Sequence, residues 1–210
     1  VSAVPFHTWA PDTYQGAPTP ITSFLAVASK TAGFVALIQL IFVGFYDRSD
    51  VYAPLLWILA VVTMTTGNLI ALRQTNIVRM LAYSGIAQAG FILAPFAVVD
   101  ANRDQALSSI VIYLVIYAAM NLGAFGVIIA VARKTRSAEI SSMGGLLTYM
   151  PGMTAAMTVF LASLAGIPPF AGWYAKFSVW QALLGAETWM GVTLAIVMAL
   201  NTVIGAYYYL

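Results

Sequence analysis

Residues 21–45 read ITSFLAVASKTAGFVALIQLIFVGF, an almost uninterrupted apolar run that contains one charged side chain, Lys30. A membrane-spanning helix needs roughly 20 predominantly apolar residues to cross a hydrocarbon core about 30 Å thick, so this run is long enough to span a bilayer. A lysine near the centre of such a helix costs roughly 2.5–3.5 kcal/mol on the insertion scale. The run therefore predicts a transmembrane helix with a charge that is expensive to keep there.

The composition extends this interpretation to the whole chain. Of its 210 residues, 61% are hydrophobic and 8% are charged, and the mean hydropathy is +0.89. Soluble domains have roughly 25% charged residues, so the chain is interpreted as a polytopic membrane protein. The net charge of +2 argues against a nucleic-acid partner. The absence of cysteine excludes thiolate-ligated iron–sulfur clusters, and one histidine with seven acidic residues argues against a dedicated metal or haem site.

Further apolar stretches predict an all-α transmembrane helix bundle of about six spans, at residues 20–45, 53–72, 80–99, 107–132, 151–184 and 188–210. The fifth stretch would form a helix of about 50 Å, too long for one crossing. Its centre reads AGIPPFAG, and we expect the helix to break at Gly166, Pro168 and Pro169. Broken helices recur in ion-coupled transporters, although a proline kink can also serve packing alone.

The ends of the sequence lie within this pattern. It opens on Val1 rather than Met and closes in the apolar run Tyr207-Tyr208-Tyr209-Leu210. We therefore interpret residues 1–210 as a single transmembrane domain that is truncated at both ends.

The charged residues of the connections divide between two faces of the membrane. One face collects Arg73, Arg79, Arg133, Lys134 and Arg136 with Asp12 and Glu139, and the other collects Arg48 and Arg103 with Asp47, Asp50, Asp100, Asp104 and Glu187. The positive-inside rule places the first face, with its Arg73, Arg79 and Arg133 loops and the N-terminal segment, in the cytoplasm.

Two lysines are expected near the same depth. Lys30 lies about 15 Å along its span and Lys176 about 16 Å from the end of its own, at the helical rise per residue. All seven carboxylates fall in loops or at helix ends, so an ion pair would need a partner outside this sequence, which stays an open alternative. A lysine without a local carboxylate can hold or release a proton according to nearby charge, which makes both lysines candidate proton carriers.

Polar side chains on the spans are candidate intermediates between the lysines. These candidates are Ser29, Thr31, Tyr83, Ser84, Gln88, Tyr113, Tyr117 and Asn121, each of which could equally make an ordinary hydrogen bond between helices. His7 could relay protons from a short interfacial loop or simply fix a turn there. Arg79 is interpreted as an interface anchor, and the closing tyrosines as interface or packing aromatics.

Four segments resemble a known family. They are VPFHTWAPDTYQGAPTPITSFLAVASK (4–30), QTNIVRMLAYSGIAQAG (74–90), YLVIYAAMNLGAFG (113–126) and GIPPFAGWYAKF (166–177). Together they resemble the antiporter-like subunits of proton-pumping NADH:quinone oxidoreductase (respiratory complex I), most specifically the subunit N branch, the counterpart of mitochondrial NADH dehydrogenase subunit 2. The resemblance runs through the whole sequence and implies an internal fragment of a 14-helix, antiporter-like, proton-conducting domain.

The resemblance assigns roles residue by residue. Lys30 matches the family's central lysine and Lys176 the lysine of its second broken helix. His7 and Asp12 match the loop after an earlier broken helix, and the family's acidic partner would lie before Val1. The family also carries a lysine before the arginine of the TNIxR segment, where this sequence has Val78, and some members carry a histidine at Gln88. Both departures argue against a protonatable relay on the third span itself.

The resemblance also implies the surroundings. No cofactor is expected in this chain, and NADH, FMN, iron–sulfur clusters and quinone are expected in the rest of the complex. The expected partners are other membrane subunits of complex I, the lipid bilayer and protons, in a bacterial plasma (inner) membrane. The leading hypothesis is a proton-translocating, non-redox subunit of this translocase. The alternatives are a subunit of a multi-subunit sodium/proton antiporter and a purely structural membrane subunit.

Overall fold

The structure is a computed structural model that describes residues 2–210, with the backbone alone of Tyr46. The α-helices of this part of the chain are α1 Trp9–Gly16, α2 Thr19–Gln39, α3 Ser49–Ala71, α4 Ile77–Leu93, α5 Arg103–Thr135, α6 Leu146–Tyr149, α7 Pro151–Ala165, α8 Ala171–Gly185 and α9 Trp189–Tyr209. A π-helical turn, Leu40–Gly44, prolongs α2, and a 3₁₀ turn, Ala94–Val98, prolongs α4. Residues 2–210 contain no β-strand, so the all-α prediction is confirmed.

The predicted spans are also confirmed. Five helices are long and apolar enough to cross a membrane: Thr19–Gly44, Ser49–Ala71, Ile77–Val98, Arg103–Thr135 and Trp189–Tyr209. The remaining predicted span is the broken one, and it forms two short helices, α7 and α8, on either side of residues 166–170. The main difference in length is α5, which begins four residues before and ends three residues after its predicted limits of 107 and 132.

Helix α4 lies at the centre of the bundle, and its apolar span is almost completely buried. Glycines let α3 and α4 approach closely. A Cβ atom at Gly67 would lie 2.6 Å from the backbone nitrogen of Ala87, and one at Gly90 would lie 2.5 Å from that of Met64. Small residues at such crossings permit the backbone contact on which helix association in membranes depends. This central position gives side chains of α4 access to α2, α5, α7 and α9.

The loops that contain the basic residues of the predicted cytoplasmic face lie at one end of the bundle. Asn76 caps α4 by accepting hydrogen bonds from the backbone N–H groups of Val78 and Arg79. The segment around Asn76 pairs with the segment around Glu139 in an isolated antiparallel bridge. At the same end, Arg79 donates to Asp12 over 2.7 Å, which ties α4 to α1. The grouping of these loops at one end agrees with the predicted division of charge.

The segment before α1 differs from the interpretation of an interfacial loop. Ser2 is buried, and the backbone N–H of Val4 donates to the hydroxyl of Thr63, in the middle of α3, over 3.1 Å. Residues 2–8 therefore begin inside the bundle and run outward to α1. The segment is too short for its apolar pattern to signal burial, which explains why the sequence suggested an interfacial loop.

Candidate functional site

Two charged side chains are buried in the bundle. Lys30 and Lys176 are 1% and 2% exposed and are the buried charged residues of the described part of the chain. All seven carboxylates are exposed. The two lysines therefore have uncharged surroundings within this chain, as their positions in the sequence predict.

Lys30 belongs to α2, and its side chain lies between the N-terminal segment and α4. Its Nζ donates a hydrogen bond to Ser2 Oγ over 3.1 Å. It also lies 5.7 Å from the ring centroid of Tyr14, within the range at which an aromatic face attracts a cation. The hydroxyl of Ser2 and the ring of Tyr14 thus replace the carboxylate that a buried lysine usually has.

Gly85 of α4 makes the space for this ammonium group. A Cβ atom there would lie 3.2 Å from Lys30 Nζ and 2.9 Å from the hydroxyl oxygen of Tyr117. Lys30 and Tyr117 therefore converge on the same notch in α4. The Tyr117 hydroxyl is buried without a hydrogen-bond partner among the described atoms.

The surroundings of the second lysine, Lys176, depend on the backbone conformation at the C-terminal end of α7. Gly166 has φ +86° and closes the helix in the left-handed conformation, which glycine adopts at little cost. Its N–H donates to the carbonyl of Ser163 over 3.0 Å, and the N–H of Ile167 donates to that of Ala162 over 3.1 Å, as in a Schellman motif. The carbonyls of Leu164 and Ala165 remain free of the helix ladder and available to other donors.

Lys176 of α8 donates a hydrogen bond to one of these carbonyls. Its Nζ donates to the Ala165 carbonyl over 2.7 Å and lies 5.1 Å from the ring centroid of Phe91. The C-terminus of a helix favours a cation by typically 0.3–1 kcal/mol and up to about 2 kcal/mol when partly buried. A hydrogen bond from a charged donor adds about 1.5–3 kcal/mol. Together these contributions are comparable with the roughly 2.5–3.5 kcal/mol cost of placing a lysine at the centre of a span.

The two halves of the broken helix are held together across the break. The hydroxyl of Ser163 accepts a hydrogen bond from the backbone N–H of Gly172 over 3.0 Å, which satisfies one free donor at the start of α8. A side chain at Gly172 would collide with the carbonyl of Ser163. The end of α7 is therefore fixed relative to Lys176, five residues into α8.

Gln88 of α4 donates a hydrogen bond to the other free carbonyl. Its Nε2 donates to the Leu164 carbonyl and to the Tyr209 hydroxyl, each over 3.2 Å. Its Oε1 accepts from the Tyr113 hydroxyl, and the Tyr209 hydroxyl in turn bonds that of Ser84. Gln88 thus joins α5, α7 and α9 in one buried network that reaches Ser84, the residue before Gly85.

The sequence-predicted relay residues divide into two groups. Ser84, Tyr117 and Asn121 are buried in the interior, where both polar atoms of the Asn121 amide have no hydrogen-bond partner among the described residues. The other candidates lie apart from this interior: the exposed Ser29 bonds the Leu25 carbonyl of its own helix, Thr31 is half-buried, and Tyr83 interacts with Arg79. The structure thus brings only part of the set together.

His7 is half-buried, and its Nδ1 atom is buried without a hydrogen-bond partner among the described residues. Its carbonyl accepts from the backbone N–H of Ala10 over 3.1 Å, at the start of α1. The turn at this point is therefore made by the backbone of His7, whereas its ring, which was expected to fix the turn or relay protons, makes no described contact with Lys30.

Three participants in the site could not be recognised from the sequence. Ser2 lies in a segment without a periodic pattern, and the Ala165 carbonyl is a backbone atom that no residue type reveals. Tyr209 was interpreted as an interface or packing aromatic, but it is 5% exposed and bonds Ser84 and Gln88. The signal available for Tyr209 is that it follows the polar residue Asn201 after about two turns of the same helix, which places both side chains near one face.

The fold and the site define a polytopic helical membrane protein with two lysines buried against uncharged oxygens. The family model for the membrane protein family "NADH:quinone oxidoreductase/Mrp antiporter, TM" matches residues 1–202, and the chain belongs to this family.

The chain also resembles individual members of this family. The chain is 46% identical over its whole length to NADH-quinone oxidoreductase subunit N of Trichlorobacter lovleyi, and it spans 42% of that protein. It resembles a chain of respiratory complex I from Thermus thermophilus with TM-score 0.77 and 30% identity, covering 99% of this chain and 44% of that one. It also resembles a chain of the Mrp complex of a Dietzia species with TM-score 0.90 and 25% identity, covering 99% and 38%. The expected resemblance to subunit N is confirmed.

Proposed function

We propose that this chain is part of a proton-translocating membrane subunit of NADH:quinone oxidoreductase, in which Lys30 and Lys176 carry protons near the middle of the membrane. The observation that carries this proposal is the burial of both lysines against uncharged oxygens, Ser2 Oγ and the Ala165 carbonyl. A structural lysine would be expected to have a buried carboxylate, and every carboxylate of this chain is exposed. The 46% identity to a subunit N supports the choice of complex.

The polar network supports a connection between the two lysines. Lys30 Nζ and the unpartnered Tyr117 hydroxyl lie at the notch of Gly85, the residue after Ser84. From Ser84 the hydrogen bonds continue through Tyr209 and Gln88 to the carbonyl end of α7 that also binds Lys176. Polar side chains in a membrane interior are costly and mark ion pathways. Electron transfer in other subunits would drive changes of charge and hydration along this row.

The remaining features of the proposal follow from this function. NADH, FMN, iron–sulfur clusters and quinone would bind other subunits, and neighbouring membrane subunits would flank this one. The end of the bundle with Arg73, Arg79 and Arg133 would face the bacterial cytoplasm, in accordance with the positive-inside rule.

The test replaces each buried lysine by methionine, an apolar side chain of similar length, in the full-length subunit within the assembled complex. In membrane vesicles, proton pumping per NADH oxidised is measured by the quenching of a pH-sensitive dye. We expect Lys30→Met and Lys176→Met to lose most of their pumping. Lys134→Met, at an exposed lysine that contacts the Tyr149 ring, is the matched control and should pump normally. Normal pumping by both buried-lysine variants in assembled complexes would overturn the proposal.

A second candidate function is a subunit of a multi-subunit sodium/proton antiporter. The TM-score of 0.90 to a chain of an Mrp complex favours it. Transport that requires sodium and proceeds without NADH oxidation would support the antiporter, whereas pumping that requires NADH and is unaffected by sodium would exclude it.

A further inference from the structure

Gln88 belongs to the polar network between the two lysines, but the proposed function gives it no separate role. It is 1% exposed, and α4 places it between the end of α7 and the C-terminal part of α9. The side chain does not titrate, so it carries no proton charge of its own. Its contacts nevertheless account for its amide nitrogen and its amide oxygen, which makes its orientation unambiguous.

The orientation is set from both sides. The Leu164 carbonyl only accepts, so the amide atom that faces it is the donor Nε2, and Oε1 then accepts from the Tyr113 hydroxyl. An apolar side chain at this position would leave the Leu164 carbonyl without its donor and the Tyr113 hydroxyl without its acceptor.

The Leu164 carbonyl is adjacent along the chain to the carbonyl that holds Lys176. Both are freed by the same Schellman ending at Gly166, and each accepts one side-chain donor. The two carbonyls belong to consecutive peptide units, Leu164–Ala165 and Ala165–Gly166, which share the Cα atom of Ala165. Ala165 is the last residue of α7 and keeps a helical backbone conformation, so the hydrogen bond from Gln88, which anchors the first unit, restrains the position of the second carbonyl, the one that Lys176 uses.

We infer that Gln88 is a positioning residue that holds the carbonyl end of α7 in the orientation that Lys176 requires. This inference rests on the proposed proton-carrier role of Lys176. Gln88 supplies a donor towards α7 and an acceptor towards α5 at the same time, and a histidine ring has the same combination.

The experiment compares Gln88→Leu with Gln88→His in the full-length subunit of the assembled complex, measured as proton pumping per NADH oxidised. One neutral hydrogen bond contributes about 1 kcal/mol, so we expect Gln88→Leu to reduce pumping about fivefold. Gln88→His restores a donor and an acceptor and should stay within about twofold of the parent. Ser109→Ala is the matched control, because Ser109 is buried and its hydroxyl bonds only the Ala106 carbonyl of its own helix.

The outcomes separate this inference from the proposed function. Normal pumping by Lys176→Met would refute the proton-carrier role and the inference with it. A deficient Lys176→Met together with a normal Gln88→Leu would overturn the inference alone, and so would equal losses in Gln88→Leu and Gln88→His. If Gln88→Leu does not assemble, Tyr113→Phe replaces it. Removal of that hydroxyl breaks one neutral hydrogen bond and should also reduce pumping about fivefold, and unchanged pumping would overturn the inference.

Discussion

Replacement of Gly166 by alanine should damage the site through two separate effects. The residue has φ +86°, and an L-residue in the left-handed region costs about 1–2 kcal/mol. The new Cβ would also lie 2.8 Å from Lys176 Cδ and 3.2 Å from its Nζ, so the lysine must move away from the Ala165 carbonyl. Loss of a partner by a buried polar group costs about 1–3 kcal/mol. We therefore expect a total loss of about 2–5 kcal/mol in the free energy of unfolding.

This loss is measurable as a change in melting temperature. A full-length relative has about 500 residues, since this chain spans 42% of it. At about 2.1 cal/mol/K per residue, each kcal/mol shifts the melting temperature by about 1 °C, so Gly166→Ala should melt about 2–5 °C below the parent. The assay is thermal unfolding of the purified full-length protein in detergent, combined with proton pumping by the assembled complex. Gly126→Ala is the control, because its Cβ would meet no atom within 4 Å and alanine favours an α-helix. Equal melting temperatures and equal pumping for the two variants would refute the reasoning.

Three other substitutions test the packing of the bundle, each by the same unfolding measurement. Gly90→Ala should destabilise the protein by about 1–3 kcal/mol, because its Cβ would lie 2.5 Å from the backbone nitrogen of Met64 and the helices must separate; an unchanged melting temperature would contradict the close crossing of α3 and α4. Asn68→Leu should cost about 1–3 kcal/mol, because it leaves two polar side chains of α9 without their partners; a stabilised variant would show that this network is dispensable. Asp12→Asn should change stability by less than about 1 kcal/mol, because its pair with Arg79 is largely exposed and screened by water; a larger loss would mean that the pair anchors α1.

The spans and the helix break could be predicted because apolar length and proline chemistry act locally. The run around Lys30 has the length of a bilayer, and Gly166 followed by two prolines cannot continue an α-helix. The start of α4 also follows from local chemistry, since Asn76 supplies the cap. These features need no knowledge of which helices are neighbours.

The partners of the lysines could not be predicted because they depend on tertiary contacts. The sequence places Lys176 at membrane depth but does not show that the end of α7 offers it a carbonyl. Gln88 could be named from the sequence as a candidate intermediate, but its contacts could not. The structure shows that its amide, which both donates and accepts, connects three helices. Residue type identifies a polar group, and only the tertiary fold shows which groups it orients.

The contact between Lys176 and the Ala165 carbonyl has a consequence for a group that changes its charge. An ammonium ion and a neutral amine both carry N–H bonds, and a carbonyl oxygen accepts from either of them. A carboxylate would hold the ammonium ion far more tightly than the amine, so each loss of a proton would break an ion pair and leave a charge behind. A peptide carbonyl is neutral before and after the transfer. In the proposed proton-carrier role, Lys176 would therefore keep its nitrogen bound to the same oxygen in both forms, and this contact would require no rearrangement of the bundle.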